Sequence, residues 1–248
     1  MTKIYGHRGS KGNYPENTLL AFKKALDAGA CGIEFDVHLT KDQEFVVIHD
    51  ATLDRTVNST GYIKDHTLAE LQKLSAGAKF THLPKYEKSW DVLRIPTLGE
   101  TLELCAMYGA ELNIELKTYE VEYPGIEAKL LKAIDDYGYD DKIIYSAFHL
   151  PTILRLKALN PCANIAFLSD HALPFPHDYI QTFNLEALHL NKEIILQNPS
   201  VWKPFAPKLR TYTPNDESDL RLLLDMGLKG VITDYPERAI ALRELNSL

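Results

Sequence analysis

The sequence is short of cysteine, of basic residues and of long apolar runs, and each shortage narrows what the protein can be. Its three cysteines, Cys31, Cys105 and Cys162, are scattered through 248 residues. The number is odd and no C-x-x-C occurs, so the pattern reads as reduced core thiols in a cytoplasmic protein rather than a disulfide framework. Lys and Arg total 27 against 34 Asp and Glu, a formal net charge of -7. That balance argues against a nucleic-acid binder, which carries a basic face, but leaves room for an anionic substrate held by local cations. No stretch approaches the roughly 18 apolar residues of a membrane span, and the first residues, Met1 to His7, hold no signal-peptide apolar region, so no stable membrane insertion is expected. No low-complexity segment occurs, and internal repetition is too weak to use. Hydrophobic residues at 45% are ample for a core, in one large α/β barrel or in two small domains.

What is present is alternation. Short apolar, strand-like segments fall near residues 3–7, 32–37, 45–49, 111–117, 142–146, 164–168, 186–190, 208–212 and 230–233. Helical patterns occupy most of the gaps, including Leu98–Tyr108, Ile126–Tyr137, Pro151–Leu159 and Asp216–Met226, and a first helix capped by Asn17 or Thr18 runs to about Ala28, before Gly29. This βα rhythm predicts a mostly parallel sheet or barrel with right-handed crossovers. Nine strands are one too many for a (β/α)8 barrel. The link between Val37 and Phe45 is a polar turn, too short for a parallel crossover. Residues 45–49 are therefore expected to return antiparallel against the second strand, outside the barrel, and to bring His49 and Asp50 back to its mouth. The chain is thus expected to be one TIM-barrel domain, residues 1–248. Residues 51–95 form a small insertion after strand 2, over the active-site face, with a short helix near Leu68–Leu74 capped by Thr67.

The chemistry sits at strand ends, where such barrels place catalytic groups. Residues two apart on a strand face the same way. Glu34 and Asp36 therefore share one face, opposite Ile33, Phe35 and Val37, and Glu115 and Lys117 repeat the spacing. Buried carboxylates need a cation, a basic partner or a proton. Three hard oxygen donors suit Mg²⁺, Ca²⁺ or Mn²⁺ better than Zn²⁺ or Cu²⁺. Arg8 and Lys117 offset the remaining negative charge and can meet a phosphate. His7 and His49 can serve as acid and base across the phosphorus. The set suits phosphodiester cleavage. His38, His66, His82, His149, His171 and His177 read as surface or structural side chains. His189 can be read either way, and Glu16 reads as part of the start of the first helix.

The motifs His7-Arg8-Gly9, Pro15-Glu16-Asn17-Thr18, Glu34-x-Asp36, Val46-Val47-Ile48-His49-Asp50, Ile95-Pro96-Thr97-Leu98, Glu115-x-Lys117 and Ile232-Thr233-Asp234-Tyr235-Pro236, in that order over nearly the whole chain, resemble the glycerophosphodiester phosphodiesterase family. The resemblance implies a (β/α)8 barrel that hydrolyses glycerophosphodiesters to glycerol 3-phosphate and an alcohol. It also implies one divalent cation, Mg²⁺ or Ca²⁺, on Glu34, Asp36 and Glu115. His7 and His49 become the acid/base pair, with His49 favoured as donor because its returning strand brings it in from above. Arg8 and Lys117 become the phosphate contacts. Two departures concern the substrate. Tyr212-Thr213-Pro214-Asn215 stands where the family usually has W-T-V-N, and Ser146-Ala147-Phe148 where it has S-S-F. Tyr212 keeps an aromatic wall for the glycerol or alcohol group. A related lyase-like route, releasing a cyclic phosphate, would use the same residues. A silent metal- or phosphate-binding protein would be expected to lack a histidine or carboxylate, and none is lacking. The sequence leaves the alcohol group, the metal and the oligomeric state open.

Overall fold

The computed structural model describes residues 1–139 and 142–245. Eight parallel strands close into a barrel: β1 (Lys3–His7), β2 (Gly32–Leu39), β4 (Glu111–Leu116), β5 (Ile143–Ala147), β6 (Asn164–Ser169), β7 (Ala187–Asn191), β8 (Leu209–Tyr212) and β9 (Gly230–Thr233). Closure comes from β1, which pairs in parallel with both β2 and β9. The ninth strand, β3 (Phe45–Val47), pairs antiparallel with the end of β2, Val37 opposite Val47 and Leu39 opposite Phe45. The expected antiparallel return is therefore present, two residues shorter than expected, and the chain leaves it carrying His49 and Asp50.

Side-chain caps start the first three helices. Thr18 accepts from the Ala21 N–H at the start of α1 (Leu19–Asp27). Thr67 and Thr97 each form a capping box, with Glu70 and Glu100, that starts α2 (Leu68–Leu71) and α3 (Leu98–Tyr108). Gly109 ends α3 in the left-handed region at φ 59°, a conformation that glycine adopts without steric cost. Then follow α4 (Ile126–Tyr137), α5 (Leu150–Leu159), α6 (Pro176–Thr182), α7 (Lys192–Gln197), α8 (Pro199–Trp202), α9 (Glu217–Asp225) and α10 (Pro236–Leu245). Among the described residues no helix is long and apolar enough to cross a membrane. Val46 of β3 and residues after it have a small core of their own, built from Val46, Ile48, Leu53, Val57, Ile63, Leu71, Ala76 and Ile95.

Alternation along each strand sorts the two barrel faces. Ile33, Phe35 and Val37 on β2 and Leu112, Ile114 and Leu116 on β4 point outward, into the main core beneath the helices. The inward series is largely polar. A small apolar group, Tyr5, Ile144, Ala166 and Ile232, packs inside, with Tyr212 against it. Below it the barrel holds an ionic floor. Arg210, 1% exposed, donates to both oxygens of Glu186 at 2.5 and 3.0 Å, and its guanidinium lies 5.4 Å from the Tyr5 ring centroid. Tyr5 donates to Glu111 at 2.6 Å, and Lys3 pairs with the same carboxylate. The three cysteines are not all core thiols. Cys105 is buried and Cys31 half-buried, but Cys162 is exposed, because it lies in the turn between α5 and β6 and not in the core.

His189 belongs to this floor. It is fully buried, and Arg210 donates to its Nε2 at 3.3 Å. Burial and the Arg210 charge push its pKa from 6.5 down to about 3. The unfolded chain takes up this proton near pH 6.5 and the folded chain only near 3. Stability tied to His189 is therefore complete above 6.5 and is lost as pH falls toward 3, by about 1.4 kcal/mol per pH unit. His189→Gln keeps an acceptor for Arg210 without the titration. Its melting temperature should fall less steeply than that of the wild type between about pH 6 and about pH 4.5; equal slopes would contradict this.

Candidate active site

A cavity of about 170 Å³ opens at the C-terminal end of the barrel. His7, Arg8, Glu34, His49, Glu115 and Tyr212 line it, so six of the eight expected site residues share one wall system. Asp36 and Lys117 join through their partners. The Lys117 ammonium lies 2.7 Å from Glu115, 3.6 Å from Asp36 and 3.1 Å from His49 Nε2. Each group arrives for a local reason. Glu34 and Asp36 are inward positions of β2, and Glu115 is the inward neighbour of Asp36 across the β2–β4 register. His7 ends β1 opposite Glu34. Arg8 and Asn17 adopt left-handed φ of 52° and 53°, unusual outside glycine. Backbone hydrogen bonds hold both: Arg8 N to Glu34 O at 2.8 Å and Asn17 N to Arg8 O at 3.0 Å. Gly9 follows at φ 85°, where a Cβ would lie 2.5 Å from the Ala21 backbone, so the strand can turn under α1 only with glycine there.

The carboxylates of Glu34, Asp36 and Glu115 are all buried and offer oxygens within 4.8 Å of one another. Burial and the charges of Asp36 and Glu115 push the Glu34 pKa well above its ordinary value. Burial likewise raises Glu115, against the pull of Lys117. At Asp36 burial is outweighed by Lys117, His49 and Arg8, which hold it below the usual carboxylate range. Asp36 Oδ1 is buried without a hydrogen-bond partner, while Oδ2 accepts from Asn17 Nδ2 at 2.8 Å. Three crowded carboxylates, one with an oxygen that only the more distant Lys117 ammonium faces among the described residues, fit a hard divalent cation.

Each histidine is held by an aspartate. His7 Nδ1 donates to Asp234 at 2.6 Å, leaving Nε2 facing Glu34 at 3.9 Å. His49 Nδ1 donates to Asp50 at 2.6 Å, leaving Nε2 beside Lys117. An ionised carboxylate fixes the proton on Nδ1, so Nε2 is the atom free to exchange one. Burial and the neighbouring Arg8 lower the His7 pKa to about 4, against the pull of Asp234. Asn215 anchors Asp234, its amide donating to the carboxylate at 2.8 Å.

The opposite side of the cavity differs in character. Phe148, Leu168, Asp170 and Tyr212 line it, from the ends of β5, β6 and β8. Tyr212 meets Phe148 edge to face at 6.1 Å and donates to Asp170 at 3.0 Å.

Four further residues take places around these groups. Glu16 is not part of the start of α1. It is buried and accepts from Arg8 at 2.8 Å, because the left-handed turn at Asn17 separates it from the helix and directs it inward. His38 is buried, between the Tyr123 hydroxyl at 2.9 Å and the His49 carbonyl at 3.0 Å, which makes it a brace for His49. His189 lies in the barrel floor, outside the cavity. Asn113, on the same face as Glu115, lines the cavity with both amide atoms unpartnered. Its only sequence signal was its i−2 spacing from Glu115.

Residues 7–238 match the Glycerophosphoryl diester phosphodiesterase family. The chain is 39% identical over 252 residues to a glycerophosphodiester phosphodiesterase of Bacillus altitudinis, covering 98% of this chain and 99% of the relative. It is 40% identical over 244 residues to one of Caldanaerobacter subterraneus subsp. tengcongensis, covering 97% of each. Its fold is similar to that of an Oleispira antarctica phosphodiesterase solved in complex with the product sn-glycerol-3-phosphate. There the TM-score is 0.86 and the identity 29%, over 98% of this chain and 97% of the other. The barrel, the cavity and these likenesses agree, and the chain belongs to the glycerophosphoryl diester phosphodiesterase family.

Proposed function

We propose that this cavity hydrolyses glycerophosphodiesters to glycerol 3-phosphate and an alcohol, with Glu34, Asp36 and Glu115 as ligands of one divalent cation, Mg²⁺ or Ca²⁺. The observation that carries the reading is the cluster of those three buried carboxylates, two of which line the cavity, beside two aspartate-held histidines that line it too. When bound, the cation supplies positive charge to the phosphate as negative charge grows in the transition state. Arg8 and Lys117 contribute the protein's own cations to the same oxygens. His7, held deep beside Glu34, accepts the proton of the attacking water through Nε2. His49 enters the step as the imidazolium, with Nδ1–H on Asp50, and gives its Nε2 proton to the departing alkoxide, while Lys117 turns from Nε2 to the phosphate. His49 suits that task because its side chain is 28% exposed against 13% for His7, so it stands nearer the mouth by which the alcohol leaves. Tyr212 and Phe148 pack against the organic part of the substrate.

We read the chain as a single domain with residues 51–95 as an insertion over the active-site face, and the three free thiols suit a reducing compartment such as the cytoplasm. The test is turnover of glycerophosphocholine, glycerophosphoethanolamine and glycerophosphoglycerol with each metal, followed by ³¹P NMR. Glycerol 3-phosphate as first product supports hydrolysis. Accumulation of a cyclic phosphate would replace water with the glycerol 2-hydroxyl as nucleophile, and absence of turnover with every metal would sink the reading.

A further inference from the structure

Arg55 lies in the irregular segment after β3 and does not line the cavity, yet it touches a partner of each half of the site. Its Nε and Nη2 donate to Asp50 at 2.7 and 2.9 Å. Its Nη1 and Nη2 donate to Glu16 at 2.8 Å each. Asp50 is the carboxylate that fixes His49. Glu16 is the carboxylate that holds Arg8. We propose that Arg55 is a positioning residue, locking the histidine that serves the leaving group and the arginine that meets the phosphate into one arrangement.

The geometry asks for arginine in particular. A planar fork with fixed donors gives each of the two carboxylates a pair of hydrogen bonds, whereas a lysine ammonium on a flexible stem offers a point charge. An ordinary surface ion pair contributes little, but here Glu16 is almost fully buried. Arg8 and Arg55 together outweigh its burial and lower its pKa to about 2. Without Arg55, Asp50 is free to turn away from His49, and the imidazole loses the partner that sets its direction. Glu16 is left with Arg8 alone and competes with the phosphate for that guanidinium. Two losses follow, and they separate kinetically. The His49 loss falls on kcat, because it acts on proton transfer in the transition state. The Arg8 loss falls on KM, because it weakens phosphate binding throughout.

The inference rests on the hydrolase reading, and wild-type turnover measured alongside distinguishes failure of that reading from failure of this one. The experiment is steady-state hydrolysis of glycerophosphocholine at saturating metal by Arg55→Ala and Arg55→Lys, each in the wild-type and His49→Ala backgrounds, with melting temperatures recorded. Arg55→Ala should lower kcat by about 10²-fold, the lower end for an acid–base group, and raise KM several-fold. In the His49→Ala background the same change should lower kcat by less than about twofold while the KM rise persists. Arg55→Lys should show a smaller kcat loss and a smaller KM rise. A wild-type kcat in Arg55→Ala, or kcat losses for Arg55→Ala and His49→Ala that multiply, would overturn the proposal. If Arg55→Ala does not fold, Arg55→Lys decides: an intermediate kcat supports the lock, and wild-type kinetics refute it.

Discussion

Glu34→Ala, Asp36→Ala and Glu115→Ala are each expected to abolish turnover. The loss should exceed the about 10²–10³-fold that removal of a single electrostatic donor costs, because the ligand set fails as a unit. Stability separates loss of function from loss of fold. Without a metal, Glu34 is pushed toward its protonated form by burial and by its two acidic neighbours. Glu34→Gln removes that crowding and should melt no lower than the wild type in metal-free buffer. The wild type should gain stability on adding Mg²⁺ or Ca²⁺, by about 2.7 kcal/mol at a hundredfold excess over Kd. Glu34→Gln should lose most of that gain. Calorimetric titration checks both: one site in the wild type and strongly weakened binding in each variant. Unchanged metal affinity in all three alanine variants would remove these carboxylates from the ligand set.

His49→Ala and His7→Ala should differ in how they depend on the leaving group. An alkoxide leaves with a conjugate-acid pKa far above neutral and needs a proton donor, whereas p-nitrophenolate leaves readily without one. With His49 as donor, His49→Ala should cost about 10²–10⁴-fold on glycerophosphocholine and far less on a p-nitrophenyl phosphodiester. With His7 as base, His7→Ala should cost similar factors on both. Stopped assays with the two substrates are sufficient. The reverse pattern would exchange the roles of the two histidines. Equal losses everywhere would remove the division of labour while leaving the hydrolase assignment standing.

Much of the site was legible because it rests on local rules. The i, i+2 spacing of Glu34 and Asp36 places both carboxylates on one face of β2, and the structure has them there. The short polar link after Val37 ruled out a parallel crossover, which gave the antiparallel β3 and the right strand count for the barrel. Asn17 or Thr18 marked the start of α1 and Thr67 that of α2, with Thr18 the cap at α1, while α3 was legible from its helical pattern. What escaped depends on closure in three dimensions. Arg210 on β8 pairs with Glu186, just before the neighbouring strand β7, and Tyr5 on β1 links Arg210 to Glu111 on β4, partners so far apart in sequence that nothing near any one of them announces a buried ion pair. Arg55 sits where the chain has no periodicity, so its two carboxylate partners could not be read from spacing. Glu16 was misread because proximity to α1 in sequence suggested a helix end, whereas the φ of Asn17 turns it inward. The short α6 and α7 carry too few turns for a clear apolar stripe.

The central claim is that this cavity cleaves glycerophosphodiesters with a divalent cation held by Glu34, Asp36 and Glu115. The most direct measurement follows glycerophosphocholine by ³¹P NMR with protein dialysed against EDTA, its metal content fixed by elemental analysis, before and after adding back Mg²⁺ or Ca²⁺. The account predicts no turnover in the metal-free protein and restored release of glycerol 3-phosphate on add-back, in the wild type but not in Asp36→Ala. Full activity in metal-free protein in excess EDTA would contradict it.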